Sequence, residues 1–300
     1  MGKKVTVSVL MATYNGEKYL REQIESLIAQ KDVNIEILVR DDGSSDETIN
    51  ILEEYKLNGL LSWYQGEHLN VQKGFLDLLK KSPDSDYYAF CDQDDVWDDD
   101  KLYVAVNRLK DYPRNKPSVY YCGQRLVDEN LKLLSIHRVS NRRNAYTNFL
   151  ISNNAGCTTV FNKALRDCVN QHTPDFILMH DSWVLKLCLA VGGSFIADPE
   201  PHISYRQHGN NTIGLDTGLN SLVWRVRHYI VDFKIQRQIE SLLQFYETQM
   251  TDDYVRFAKQ ITLYNRSFTN WIKLLFNKQI DFDSRALNFI VFIKILLCKL

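Results

Sequence analysis

The sequence predicts an α/β protein with a mostly parallel central sheet flanked by helices and with a helical extension at its C-terminal end. Three features of the 300 residues lead to this fold class. Short apolar runs alternate with amphipathic stretches up to residue 91, polar residues follow several of these runs, and only helical periodicity is found from residue 217 onward. We therefore expect one domain over residues 1–216 and a helical extension over residues 217–300.

The alternation in the first 91 residues favours a parallel sheet, because right-handed crossovers through helices join neighbouring parallel strands. In the first helix Leu20, Ile24 and Leu27 recur at helical spacing, and Ser44 or Ser45 is expected to cap the second helix. The predicted strands cover residues 5–10, 35–39, 60–64 and 87–91. One predicted helix covers residues 17–30, the second ends near residue 55 and the third covers residues 71–80.

The middle of the chain, residues 118–208, is less regular and is interpreted as a continuation of the same domain. Strands are predicted near residues 119–121, 195 and 203, and helices over residues 162–169 and 181–190. In the extension, apolar residues recur at helical spacing in three stretches: residues 222–229, 239–246 and 289–296.

Charge and cysteine content exclude several classes of protein. The chain has 36 Lys and Arg against 37 Asp and Glu, so no bulk positive field indicates a nucleic-acid partner. The six cysteines have neither CxxC pairs nor metal-knuckle spacing, which favours free thiols in a reducing compartment over disulfides or a zinc site.

Polar residues follow the first two predicted strands, and ligands bind at the carboxyl ends of strands in such sheets. The first strand leads into Thr13, Tyr14 and Asn15, and the second leads into Asp41 and Asp42. An acidic residue at the second position can accept hydrogen bonds from a ribose hydroxyl or a base N–H group. A helix-capping turn explains the same Asp, Gly and Ser residues equally well.

Asp92 and Asp94 directly follow the strand over residues 87–91. Alternate residues of an extended segment point the same way, so both carboxylates can face one point, as a hard divalent cation such as Mg²⁺ or Mn²⁺ requires. The stretch from residue 83 to residue 100 contains eight Asp and no Lys or Arg. A solvated acidic loop is the alternative.

Two later positions complete the set of candidate residues. Asp181 opens a predicted helix, where it either caps the helix or serves as a general base at the rim of a cleft. Arg206 and His208 lie in one polar loop after a strand; Arg206 can bind a phosphate, and His208 can donate to the phosphate or ligate the metal.

Three motifs in this order resemble those of inverting family 2 glycosyltransferases with the GT-A fold, which transfer a sugar from a nucleotide diphosphate donor to a hydroxyl. The motifs are residues 9–16 (VLMATYNG), 40–48 (RDDGSSDET) and 92–94 (DQD). The resemblance covers about residues 4–210 and implies a GT-A catalytic domain. It implies that the nucleotide is held by Thr13, Tyr14, Asn15, Asp41, Asp42 and, more weakly matched, Asn70 and Lys73.

The resemblance also implies the chemistry of the acidic residues. It gives Asp92 and Asp94 the metal and diphosphate role, with Asp94 as the direct ligand, and gives Asp181 the role of catalytic base. Many relatives have Glu-Asp where this sequence has His180-Asp181, although the aspartate keeps its position.

Residues 91–97, 180–181 and 205–208 are similar to the bacterial rhamnosyltransferase branch of this family. That likeness implies dTDP-rhamnose as the donor and a saccharide or lipid-linked saccharide of cell-surface polysaccharide synthesis as the acceptor. A nucleotidyltransferase and a non-catalytic nucleotide-sugar binding protein are the alternatives. A dehydrogenase is disfavoured because no GxGxxG motif follows the first strand.

The helical extension differs from the rest of the chain in charge. Residues 221–300 contain twelve Lys or Arg against seven Asp or Glu, with aromatic and basic residues interleaved at 224–227 and 271–273. Such helices can lie in a membrane interface, which would place a cytoplasmic enzyme at the inner face of the membrane. The alternatives are that these helices pack on the sheet domain or that they form the contact face of a homodimer.

Overall fold

The computed structural model describes residues 4–67, 69–208 and 235–298. Within these residues nine strands form one sheet. The strands are β1 (Thr6–Thr13), β2 (Asn34–Asp41), β3 (Ser62–Gln65), β4 (Tyr87–Cys91), β5 (Val96–Trp97), β6 (Ser118–Val127), β7 (Leu133–His137), β8 (Val160–Asn162) and β9 (Ser194–Arg206).

Helices cover both faces of the sheet and continue beyond it. Those among the strands are α1 (Leu20–Ile28), α2 (Thr48–Leu57), α3 (Val71–Lys81), α4 (Lys101–Leu109), α5 (Ala145–Leu150), α6 (Lys163–Val169) and α7 (His180–Ala190). Those of the C-terminal part are α8 (Ile235–Tyr246), α9 (Asp252–Leu263), α10 (Phe268–Leu275) and α11 (Arg285–Leu296).

The order of the strands sets the place of the site. The sheet runs β3-β2-β1-β4-β8-β6-β9-β5, with β7 beside β6, and its first four strands are parallel. After β1 the chain moves outward to β2 and β3 and then crosses back to β4 on the other side of β1. In α/β sheets a ligand crevice opens at the carboxyl ends of the strands where this reversal occurs. The predicted α/β fold class is confirmed.

Local sequence explains most of these elements. All five residues of β4 are buried, as a strand covered on both faces requires, and the apolar run predicts its bounds correctly. The capping prediction is wrong. Ser44 binds Asp41 and the backbone of Asn15, whereas the backbone N–H of Thr48 at the start of α2 donates to Asp46.

Long-range pairing produces the elements that the sequence pattern did not indicate. The predicted strands near residues 195 and 203 are parts of the single strand β9, which pairs parallel with β6 and antiparallel with β5. Strand β5 has only two residues, and its partner lies more than a hundred residues away along the chain. Such pairing leaves no local periodicity in the sequence.

The C-terminal helices pack against the sheet domain. Ile239, Leu242 and Tyr246 of α8 are fully buried in the same hydrophobic cluster as Trp183 of α7. The Tyr246 hydroxyl donates to the carbonyl oxygens of Cys168 and Val169, 3.2 Å away in both cases. The boundary at residues 216 and 217 and the predicted patterns at 222–229 and 224–227 lie outside the described residues, so the domain division stays a prediction.

No helix within the described ranges is both long and apolar enough to cross a membrane.

We expect Leu242→Ala to destabilise the whole protein, because α8 and the sheet domain share one hydrophobic cluster. Deleting a fully buried leucine side chain costs about 2–5 kcal/mol. Urea unfolding followed by tryptophan fluorescence and by circular dichroism should give one transition, shifted to lower urea by both probes. Gln244→Ala on the exposed face of α8 is the control. A variant that loses helical signal first, with unchanged fluorescence, would contradict the shared core.

Candidate active site

The carboxyl ends of β1 and β2 are joined side by side. Thr13 lies opposite Asp41 in the parallel register, and its hydroxyl donates to the Asp41 carboxylate at 3.0 Å. The other Asp41 oxygen accepts the backbone N–H groups of Gly43 and Ser44. Asp41 is fully buried, so in this structure it shapes the turn after β2, and its contact with a nucleotide stays a prediction.

The loop after β1 is held by both neighbouring strand ends. Asn15 has φ of +46°, a left-handed conformation that Asn tolerates, and its side chain accepts the backbone N–H of Ser45 at 2.9 Å. Gln93 accepts the N–H of Tyr14 at 2.9 Å and donates to its carbonyl oxygen at 3.1 Å. A Cβ on Gly16 would lie 2.4 Å from the end of the Gln93 side chain, so a larger residue there would displace the Gln93 amide from Tyr14.

Gln93 is a site residue that the sequence reasoning missed. The DQD motif predicts a role only for its two carboxylates. In the structure its middle residue, Gln93, ties the loop after β1 to the acidic turn after β4, residues 92–95. Tyr14 remains half exposed beside this clamp, available to a ligand in the crevice.

Asp42 and the first turn of α3 lie on either side of the buried Arg40 side chain: a Cβ on Gly74 of α3 would lie 3.0 Å from the Arg40 guanidinium and 3.6 Å from the Asp42 carboxylate. Arg40 pairs with Asp42 and also with Asp77 of α3. Asn70 caps α3 by accepting the backbone N–H of Lys73 at 3.0 Å, and the Lys73 side chain is exposed. The three residues therefore lie near one another at the start of α3, and their contact with a nucleotide stays a prediction.

The acidic turn after β4 brings Asp94 and His208 together. The Nε2 atom of His208 lies 2.8 Å from an Asp94 carboxylate oxygen, and both side chains are mostly buried. Two predicted metal ligands, 114 positions apart in the sequence, therefore share one point. Asp92 lies on the inner side of the same turn, where burial and the charges of Asp94 and Asp181 raise its pKa to about 7.

Asp95 and Cys157 are further members of this cluster that the sequence reasoning did not select. Ligand atoms of Asp92, Asp95 and Cys157 lie within 4.8 Å of one another. Asp95 is fully buried; one of its oxygens accepts the backbone N–H of Arg206, and the other has no partner among the described residues. Burial and the charges of Asp94 and Asp92 raise the pKa of Asp95 well above its ordinary value.

Arg206 lies beneath the acidic turn and does not face open space. Its guanidinium donates to the Asp94 carbonyl oxygen at 2.8 Å, to the Glu129 carbonyl oxygen and to the Glu22 carboxylate, and stacks on Tyr19. Only 2% of its surface is exposed. Arg206 therefore stabilises the turn in this structure, and its contact with a diphosphate stays a prediction.

Asp181 lies in the first turn of α7, next to the acidic cluster. Its carboxylate accepts a hydrogen bond from the backbone N–H of Ser182 at 2.6 Å. The backbone N–H groups of Gly156 and of Asp181 itself also donate to it. Burial outweighs these hydrogen bonds and the positive charge of Lys186, and raises the pKa of Asp181 to about 6. Met179, not Asp181, occupies the N-cap position.

His180 and Gly156 fix the position of Asp181. The His180 ring stacks on Phe75 with ring centroids 3.9 Å apart and meets Phe90 edge-on at 4.7 Å. A Cβ on Gly156 would lie 2.6 Å from the His180 ring, so only glycine brings its N–H to Asp181. Burial lowers the pKa of His180 to about 3, which keeps the ring neutral.

The donor set of the acidic turn fits a hard divalent cation. Asp94 and His208 offer a carboxylate oxygen and an imidazole nitrogen, a pair that suits Mn²⁺, whereas the Asp92 carboxylate is grouped with Asp95 and Cys157 on the same turn. The unpartnered Asp95 oxygen adds negative charge close by. The Cys157 thiol is a softer ligand that hard cations do not favour.

Comparison with known proteins identifies the family of the chain. The sequence profile described as Glycosyl transferase family 2 matches residues 8–172. The dTDP-rhamnosyl transferase RfbG of Shigella flexneri is 32% identical over 222 residues, which is 68% of this chain and 73% of that protein.

Two solved structures share the fold. Residues 1–349 of TarS from S. aureus in complex with UDP-GlcNAc have a TM-score of 0.57 at 18% identity, over 92% of this chain and 78% of that fragment. The mannosyltransferase PcManGT from Pyrobaculum calidifontis in complex with GDP-Man and Mn²⁺ has a TM-score of 0.51 at 15% identity, over 99% of this chain and 87% of that protein.

We expect the acidic turn to destabilise the metal-free protein as the pH rises. The folded-state pKa of Asp92 is raised, so the stability that its protonation provides is complete below about pH 4 and is lost as the pH rises to about 7. Asp92→Asn should therefore raise the melting temperature in metal-free buffer at pH 7.5 and change it little at pH 4.5.

The exposed Asp111→Asn variant should show no such dependence on pH. Because a cation competes with the protons, MnCl₂ should raise the melting temperature of the wild type more at pH 7.5 than at pH 5. Equal effects of MnCl₂ on the wild type and on Asp92→Asn would argue against a cation at this turn.

Proposed function

The chain belongs to glycosyl transferase family 2, and we propose that it is an inverting, metal-dependent enzyme that transfers rhamnose from dTDP-rhamnose to a hydroxyl of a cell-surface saccharide. The observation that carries this proposal is the position of Asp181. A buried carboxylate with a pKa of about 6 lies directly beside an acidic turn suited to a cation.

Asp181 serves as the general base. With a pKa of about 6 it is mostly ionised at neutral pH, so it can accept the proton of an acceptor hydroxyl. The three backbone N–H groups and the Gly156–His180 packing hold the carboxylate in one orientation. The hydroxyl oxygen then bonds to the anomeric carbon as the bond to the diphosphate breaks, which inverts the configuration at that carbon.

Asp92, Asp94 and His208 would hold the cation, which supplies positive charge to the departing diphosphate when bound. Asp95 adds to the negative charge that favours cation binding, and Arg206 keeps the turn in place from below. Gln93 holds the loop carrying Tyr14 against this turn, so that nucleotide and diphosphate subsites keep a fixed separation.

Support for the nucleotide and the sugar comes from different sources. TarS and PcManGT form complexes with UDP-GlcNAc and GDP-Man, which supports a nucleotide-sugar donor for this chain. RfbG is described as a dTDP-rhamnosyl transferase, and its 32% identity supports rhamnose. We propose that Thr13, Tyr14, Asn15, Asp42, Asn70 and Lys73 surround the nucleoside, with Asp41 shaping the turn beneath it.

We expect Asp181→Asn to lower turnover by about 10²–10⁴-fold while leaving donor binding nearly unchanged. Asn keeps the size of the side chain but cannot accept the proton. In the wild type, turnover should fall as the pH drops through about 6, because Asp181 becomes protonated. Asp175→Asn, an exposed change near the same helix, is the control. Parallel loss of donor affinity and turnover would contradict the role as base.

A donor panel tests the substrate assignment. Released nucleotide diphosphate should be greatest with dTDP-rhamnose, should require a saccharide acceptor for full rate, and should stop with chelator and return with Mn²⁺ or Mg²⁺. Product analysis should show a glycosidic bond of inverted configuration. Preference for another sugar would overturn the rhamnose assignment alone, whereas full activity in chelator would overturn the cation.

A further inference from the structure

The last two helices expose an unusual number of large apolar side chains. On α10 these are Phe268 and Ile272, and Phe276 follows at the same spacing of four residues, so all three share one helix face. On α11, Phe289 and Leu296 share a face, and Leu297 follows the helix. Phe268, Phe276 and Phe289 are 74%, 68% and 65% exposed. We call these six residues the apolar surface.

Basic residues outnumber acidic ones in the segments that carry the apolar surface. Residues 264–280 and 284–300 each contain three Lys or Arg and no Asp or Glu. Arg266, Lys273, Lys278 and Arg285 are exposed, and none forms an ion pair with a carboxylate in the described part of the chain. Between the stretches, Asp281 accepts from the Asn288 side chain and the Asp283 N–H, and Asp283 accepts from the Ser140 hydroxyl and lies 3.9 Å from Arg142.

The two helices are held firmly in place, so the apolar surface is preformed. The Trp271 indole N–H of α10 donates to the Ile295 carbonyl oxygen of α11 at 2.9 Å. Thr147 of α5 donates to the Asp281 carbonyl oxygen and accepts the Asp281 N–H, both at 2.9 Å. Buried Lys186 of α7 donates in turn to carbonyl oxygens of α5, including that of Leu150 at 2.9 Å. These contacts connect the apolar surface to the helix that carries Asp181.

We propose that the apolar surface docks the protein on a bilayer rich in anionic lipid. Aromatic side chains with flanking Lys and Arg are the features that hold helices in the interface of such a bilayer. Neither helix is long enough to span it, so the protein would lie on the surface. This inference goes beyond the proposed transfer reaction and does not depend on it.

A second copy of the chain fits the apolar surface less well than an anionic bilayer does. In a two-fold symmetric dimer the same surface meets itself, which would bring Lys273 and Lys278 close to the like charges of the partner with no carboxylate in either stretch to offset them. The negative surface of an anionic leaflet complements these charges instead.

Vesicle co-sedimentation of the full chain, without donor or acceptor, tests the proposal. We expect binding to vesicles of phosphatidylcholine with about 30% phosphatidylglycerol, and little binding to vesicles of pure phosphatidylcholine. The double variant Phe268→Ser, Phe276→Ser should abolish binding. Lys273→Gln with Lys278→Gln should weaken partitioning by roughly 30-fold, from about fivefold for each charge removed.

Matched controls keep the result interpretable. Leu57→Ser with Leu133→Ser removes exposed leucines of α2 and β7, and should leave vesicle binding unchanged. Circular dichroism and melting temperature establish that each variant is folded. Nucleotide diphosphate release with a water-soluble acceptor should be the same in all variants, so failure of docking and failure of the transfer reaction are distinguishable.

Three results would overturn the proposal. The first is no binding to anionic vesicles, and the second is binding that the Phe268→Ser, Phe276→Ser variant retains. The third is a dimer in light scattering that this variant dissociates while vesicles bind none of the protein, which would identify a second copy as the occupant.

Discussion

Repulsion between carboxylates is the constraint on which this structure depends. Asp92, Asp94 and Asp95 follow one buried strand, and Asp181 faces them from the start of α7. Burial disfavours the ionised form of each carboxylate, and each ionised carboxylate further disfavours ionisation of its neighbours. The pKa of Asp92 therefore rises to about 7, and that of Asp95 rises well above its ordinary value. The cluster of carboxylates therefore lowers the stability of the metal-free protein when its members are ionised.

The protein offsets part of that cost with buried cationic and neutral groups. Lys101 is fully buried 3.0 Å from the centre of the Trp97 ring, and burial lowers its pKa to about 8 although Asp95 is nearby. Arg206 donates to the Asp94 carbonyl oxygen and to the Glu22 carboxylate of α1. The Asp94 carboxylate pairs with His208 instead. The acidic turn is thus kept in shape without a direct salt bridge from an arginine to Asp92 or Asp94 among the described residues, so the two carboxylates remain available to a cation.

The sequence predicted the parts of the fold and site that depend on local pattern. Strand β4 and the position of Asp181 at the start of a helix follow from apolar periodicity and from the polar residues beside it. Gln93, Asp95 and Gly156 could not be found that way, because their roles arise from contacts with Tyr14, Arg206 and His180, which lie far away in the sequence. The same reason explains Arg206 itself: a cation in a polar loop suggests a phosphate ligand, and only the fold reveals that Glu22 and Glu129 occupy its donors.

The near-neutral total charge of the chain conceals a division with consequences for function. Residues 1–220 contain 24 basic and 30 acidic residues, whereas residues 221–300 contain 12 and 7. Within the extension the imbalance is concentrated further, since α8 and α9 carry both signs and the stretches 264–280 and 284–300 carry positive charge alone. The helices with both signs contribute the residues that pack on the sheet domain, such as Leu242 and Tyr246. The positive stretches contain the exposed aromatic side chains. The last two helices also bury Leu274, Val291 and Ile295 in this core, but their outer side combines exposed aromatic side chains with the positive charge that an anionic surface attracts.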